Sequence, residues 1–122
     1  MNSIKQKLFL DGVDHFNKKL FYEAHESWET LWTDYNLDDA LLIQGLIQLS
    51  VAYFHITNLN LKGSKNLFNK CIPKLEKYLQ NHRGIDIKEI LKISQKALEK
   101  VILIQNTKDF DWELVPKIDI RK

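Results

Sequence analysis

A chain of 122 residues with 44% hydrophobic and 28% charged residues is long enough to bury one core of its own without disulfide or metal staples. Eighteen Lys and Arg face sixteen Asp and Glu, a formal charge of +2, and no basic stripe is interleaved with aromatics, which argues against a nucleic-acid surface. The single cysteine, Cys71, excludes an internal disulfide, and the charged amphipathic start is unlike a secretory leader, so the expected location is the cytoplasm or an organelle interior.

Only four Gly and two Pro leave little room for turns, which favours a few long helices over many strands. Ile4, Leu8, Gly12, Val13, Phe16 and Leu20 recur at helical spacing and predict a first helix over about residues 3–18. The second begins near Phe21, with an apolar stripe of Phe21, Ala24, Trp28, Leu31, Trp32 and Tyr35. Glu23 and Glu26 lie in its first two turns, where negative charge suits the helix dipole. Asn36 and Asp39 are placed to cap a third helix.

That third helix is the centre of the chain. From Ala40 to Leu61 there is no Asp, Glu, Lys or Arg, a length that can span a bilayer. Gln44, Gln48, Ser50, His55, Thr57, Asn58 and Asn60 are a polar load that lipid penalises, so a central helix of a soluble bundle is expected rather than a membrane span. Gln44, Gln48 and His55 fall within about 40° on a helical wheel and form a polar seam on an otherwise apolar helix.

Asn60 and Gly63 mark the next turn, and Ser64 to Leu79 trace a fourth amphipathic helix. Pro73 inside its stripe predicts a kink or a break into two shorter helices, with Gly84 as the end. Asp86 and Glu89 have capping-box spacing and open a fifth helix through Ile90, Leu91, Ala97, Leu98 and Val101. The last stretch, from Lys108, carries Phe110, Trp112, Leu114, Val115 and Ile118, too apolar to float free, and is expected to dock on the bundle.

Shifted by forty residues, the chain resembles itself. Gly12 meets Ala52, His15 meets His55, Phe16 meets Ile56, Ala24 meets Ser64, and Trp28 meets Phe68. This order of small and large residues is that of a tetratricopeptide-like helical hairpin, although the period is longer than in that repeat. The expected fold is therefore all-α: one domain of about five helices, in antiparallel hairpins packed around the uncharged helix. In such a hairpin His15 and His55 occupy packing positions and can serve simply as core histidines.

Chemistry is sparse. His25 and Glu29 are four apart on one helix face, with Tyr22, Glu26 and Trp32 beside them. A His with carboxylates at such spacing can chelate a metal, but the order His-x-x-x-Glu occurs once and differs from the paired Glu-x-x-His of di-iron bundles. A His–Glu–Gln hydrogen-bond network that fixes helix register is the simpler use. There is no Gly-rich phosphate loop and no nucleophile–histidine arrangement, so no catalytic residue or cofactor is assigned. His82 reads as solvated and Cys71 as a small core residue.

The segments Phe16-Asn-Lys-Lys-Leu-Phe-Tyr-Glu-Ala-His-Glu-Ser-Trp-Glu-Thr-Leu-Trp32, Gln44-Gly-Leu-Ile-Gln48 and Ala52-Tyr-Phe-His55 resemble the domain-of-unknown-function 309 family, small helical proteins of bacteria, archaea and plastids. The resemblance spans about residues 9–75. It maps the family signature onto Glu23, His25, Glu26, Glu29, Trp32, Gln44, Gly45, Gln48 and His55. Ser64 departs from it, where the family tends to have Ala. The resemblance implies a fold and a site but no reaction.

Two functions are compatible with these residues. A non-catalytic helical interaction module would use a groove between hairpins for a protein partner or for homo-oligomer formation, and would leave aromatics such as Tyr22, Tyr35 and Trp112 exposed. A small-ligand or metal-binding protein would use the cluster Glu23, His25, Glu26, Glu29, Trp32, Gln44, Gln48 and His55 between helices two and three. Neither calls for nucleic acid or a membrane.

Overall fold

The computed structural model describes residues 3–80 and 82–120. Five helices follow one another: α1 (Ile4–Asn17), α2 (Phe21–Asp34), α3 (Ala40–Thr57), α4 (Leu61–Glu76) and α5 (Ile87–Leu103), with a 3-10 turn at Thr107–Asp109. Among the described residues there is no strand, only an isolated bridge between His82 and Ile85. The all-α bundle expected from the periodicity is what forms.

Successive helices run antiparallel. At the turn end Phe16 meets Phe21, ring centroids 5.4 Å apart, and at the far end the Trp28 indole N–H donates to the Phe9 carbonyl at 3.1 Å. In the second hairpin His55 lies against Gly63 near the turn, while Gly45 lies against Lys74 and Leu75 at the far end. Tyr22 on Phe54, 5.5 Å apart, joins the two hairpins through α2 and α3.

The forty-residue repeat is written into the backbone. Leu20 N–H donates to the His15 carbonyl at 2.9 Å, and Asn60 N–H to the His55 carbonyl at 2.8 Å. Lys19 N–H to Phe16 and Leu59 N–H to Ile56 complete the same pair of bonds at 2.9 and 3.2 Å. This is a Schellman stop, which needs one left-handed residue, and Lys19 and Leu59 both have φ of 60°. The paired small residues behave alike too. Gly12 and Ala52 are buried, as are their large partners in the pattern, Trp28 and Phe68.

α3 lies between α2 and α4 and is long and apolar enough to cross a membrane by length and composition, with about half of its residues buried in the bundle. Leu42, Ile43, Leu46, Leu49, Ala52 and Tyr53 are fully enclosed. The C-terminal segment docks as expected: Phe110 and Ile118 are buried, and the Tyr53 hydroxyl donates to the Leu114 carbonyl at 2.6 Å. Asn17 grips Ile118 from both sides, its amide donating to the carbonyl at 2.9 Å and accepting from the N–H at 2.8 Å.

Several boundaries differ from the expected ones. α3 stops at Thr57 rather than Leu61, because Asn60 is already the cap of α4, accepting from Gly63 N–H at 2.8 Å. Gly63 is therefore in the first turn of α4, not in a loop. Pro73 does not divide α4, since the helix continues through it to Glu76. A proline in the last turn costs a single backbone bond there, and the burial of Cys71 and Leu75 on either side of it holds the helix. The helix then ends well before Gly84, leaving Tyr78 and Leu79 outside it. Asp86 caps α5 as its spacing predicts, accepting from Glu89 N–H at 3.2 Å.

Candidate functional site

α3 touches solvent along a narrow line. Gln44, Gln48, Val51 and His55 are half-buried and spaced i, i+4, i+7, i+11, so they share one stripe between α2 and α4. On α2 the flank beside it carries Tyr22, His25, Glu29 and Trp32 at i, i+3, i+7, i+10. On α4 the facing flank carries Gly63, Leu67, Lys70 and Lys74. The result is a groove with an uncharged floor, an α2 wall bearing carboxylate and an α4 wall bearing ammonium. The antiparallel register sets its levels: Tyr22, His55 and Gly63 at one end, Glu29, Gln48 and Lys70 in the middle, Trp32, Gln44 and Lys74 at the other.

At the first end, Phe21, Tyr22, His25, Val51, Phe54 and His55 enclose an apolar cleft of about 180 Å³. The two histidines from separate helices thus come to one place. His25 Nε2 is 2.8 Å from Glu29 Oε2. With Nε2–H donating to that carboxylate, Nδ1 presents a lone pair on the neutral ring or a second N–H on the imidazolium. Nδ1 is buried with no hydrogen-bond partner, as is Gln48 Oε1. His55 Nδ1 is 3.5 Å from the Asn60 amide, which itself caps α4.

The other candidate residues are placed less centrally. Glu26 stands exposed at the rim of the α2 wall, and Glu23 is exposed further round the helix, away from the groove. Trp32 is 40% exposed and Tyr22 48%. Tyr35 and Trp112, expected outside, are half-buried. Trp112 stacks on Phe21 at 6.2 Å and meets Phe110 edge-on at 5.0 Å, as part of the docked tail. His15 and His55 are half-buried rather than core residues, and their carbonyls anchor the two helix stops. Among the described residues no group of three or more His, Cys, Asp or Glu is gathered in a way that could hold a metal. Cys71 is buried in apolar surroundings that push its thiol up to about 12, so its thiolate is scarce at neutral pH.

A second polar constellation, missed in the sequence, ties two loops together. Asp39 is nearly buried, and its carboxylate accepts from Arg83 Nε, from Arg83 Nη2 at 2.8 Å, and from His82 Nε2 at 3.0 Å. The Arg83 guanidinium beside it holds the carboxyl of Asp39 below the usual value, with a further contribution from His82, against the opposing effect of burial. Arg83 also stacks over the Phe9 ring at 4.8 Å. Asp39 occupies the cap position of α3 but makes no capping bond, because Arg83 takes its oxygens. His82 is accordingly a hydrogen-bond partner of Asp39 rather than a freely solvated residue. The signal in the sequence was faint: Arg83 is one of only two arginines among the eighteen cationic residues.

Fold and groove together define a module of antiparallel helical hairpins. Residues 9–67 match the model of the family described as a domain of unknown function, DUF309, which shows the resemblance over α1 to α3 and the first part of α4. The match ends short of the residue 75 that the motifs suggested. No curated protein and no solved structure matches the chain.

Proposed function

We propose that the chain is a non-catalytic helical interaction module that docks a polypeptide in the groove over α3. The observation that carries this reading is the cleft at its end. At about 180 Å³ and with apolar walls it is the size of one or two partner side chains, below the several hundred Å³ usual for small-molecule sites. Tyr22 and Trp32, two exposed aromatics on the same wall, are the residue types that anchor protein interfaces. A photo-reactive benzoylphenylalanine placed at Tyr22 is expected to form a protein adduct that the same group at the exposed Lys88 of α5 does not. No adduct at either position, with a small molecule retained in native mass spectrometry, would falsify the reading.

The second reading, a small polar ligand, is favoured by Gln48 Oε1 and His25 Nδ1, which are buried without partners. In that case the double substitution His25→Ala, Glu29→Ala abolishes retention of the small molecule while the Tyr22 position still forms no adduct.

A further inference from the structure

Charge is divided unevenly along this chain. Residues 20–61 hold Glu23, Glu26, Glu29, Asp34, Asp38 and Asp39 and not one Lys or Arg. All eighteen cations lie outside that segment. The division runs along the groove, because α2 belongs to the acidic segment, α3 is uncharged and α4 belongs to the basic remainder. Lys62, Lys65, Lys70 and Lys74 are its cations, with Glu76 at its end. Glu26 and Lys70 have no ion-pair partner among the described residues. Glu29 lies 2.8 Å from His25 Nε2, and Lys74 Nζ donates to the Lys70 carbonyl at 3.2 Å.

We infer that the partner docked over the groove is a second copy of this chain, bound through a two-fold axis parallel to α3 so that the α2 wall of each copy covers the α4 wall of the other. This rests on reading the groove as a docking surface. A groove acidic on one side and basic on the other is self-complementary under that rotation, whereas a uniformly charged groove repels its own copy. The rotation leaves every residue at its own level along the groove. Glu29 therefore meets the second copy's Lys70, and Trp32 meets the second copy's Lys74, where an ammonium over an indole face is favourable. At the other end Tyr22, which is 48% exposed, meets the second copy's α4 at the level of Gly63.

The size of the surface sets the strength. Helices of this length span about 24 Å, and three of them side by side are about 20 Å wide. Two such footprints bury about 1,000 Å², the low end for specific complexes, so the dimer is concentration-dependent.

Charge reversal tests this without touching the core. Sedimentation velocity over a concentration series is expected to show a wild-type dimer that weakens as salt rises. Glu26→Lys with Glu29→Lys makes both walls basic, and Lys70→Glu with Lys74→Glu makes both walls acidic. Each variant alone is expected to be monomeric, and an equimolar mixture of the two to form a heterodimer. A wild type that stays monomeric throughout, or reversed variants that dimerise as well as wild type, overturns the inference. The adduct at position 22 separates this from the parent reading: twice the chain mass supports both. A single different partner leaves the module reading standing and removes the second copy, and no protein adduct removes both.

Discussion

The two hairpins share a backbone and differ in how they are filled. Each stops its first helix with the same pair of bonds and the same left-handed residue, forty positions apart. In the first hairpin a glycine admits the largest side chain: a Cβ on Gly12 would come within 2.2 Å of Trp28 Nε1, the atom that bonds Phe9. In the second the equivalent pair is Ala52 and Phe68, one methyl larger and one ring smaller, both fully buried. Small and large vary together at this crossing, which keeps the combined volume of the pair rather than its residue identities. The hairpins differ also in their surroundings, since α3 is enclosed by α2 and α4 whereas α1 has a neighbour on one side and the docked tail at its end.

The largest effect should come from breaking that volume match. Gly12→Ala is expected to cost about 3 kcal/mol, combining overpacking with loss of the Trp28 bond, whereas Ala52→Gly costs only about 1 kcal/mol. Urea denaturation of the two variants checks this, and equal losses would show that the hairpins are not filled by the same rule.

Next comes the Asp39 clasp, which belongs to neither hairpin and joins the loops that follow α2 and α4. Asp39→Asn is expected to cost about 2 kcal/mol at neutral pH, because it leaves Arg83 without its carboxylate. Arg83 first, then His82, lower the folded pKa of Asp39 below its unfolded value. The contribution of the carboxylate is thus present above the unfolded pKa of about 4 and is lost as pH falls through the folded one. The stability gap between wild type and Asp39→Asn should therefore narrow below about pH 4. A gap that stays unchanged as the pH is lowered until the protein unfolds would mean that the introduced amide disturbs packing instead.

The smallest effect sharpens the likeness of the two turns. Lys19 and Leu59 are exposed and left-handed, a conformation that costs a side-chain-bearing residue about 1 kcal/mol and glycine almost nothing. Lys19→Gly and Leu59→Gly are each expected to gain about 0.5 kcal/mol once the extra freedom of glycine in the unfolded chain is subtracted. Gains of equal size in thermal unfolding would establish that the stops are equivalent in energy as well as in geometry.

Much of the molecule is legible in one dimension because its rules are local. Apolar residues at helical spacing place all five helices, the Asp86–Glu89 pair opens α5, and the shift of forty reveals the hairpins. The histidine and glutamine stripes could be put on the facing flanks of α2 and α3 by counting residues around a helix. The end of α4 and the passage through Pro73 could not, since the burial of Cys71 and Leu75 outweighs one missing bond. Nor could the role of Asp39. Its sequence neighbours make it a cap, and only the return of the chain forty-four residues later brings Arg83 to its oxygens. The α4 wall of the groove is a third case: nothing local to Lys70 and Lys74 shows that the folded register lays them across α3 from Glu29. Periodicity and capping act within one or two turns of chain, so the sequence determined the elements and their faces. Which charged side chains oppose one another depends on distances that only packing sets, and that was decided by the tertiary structure.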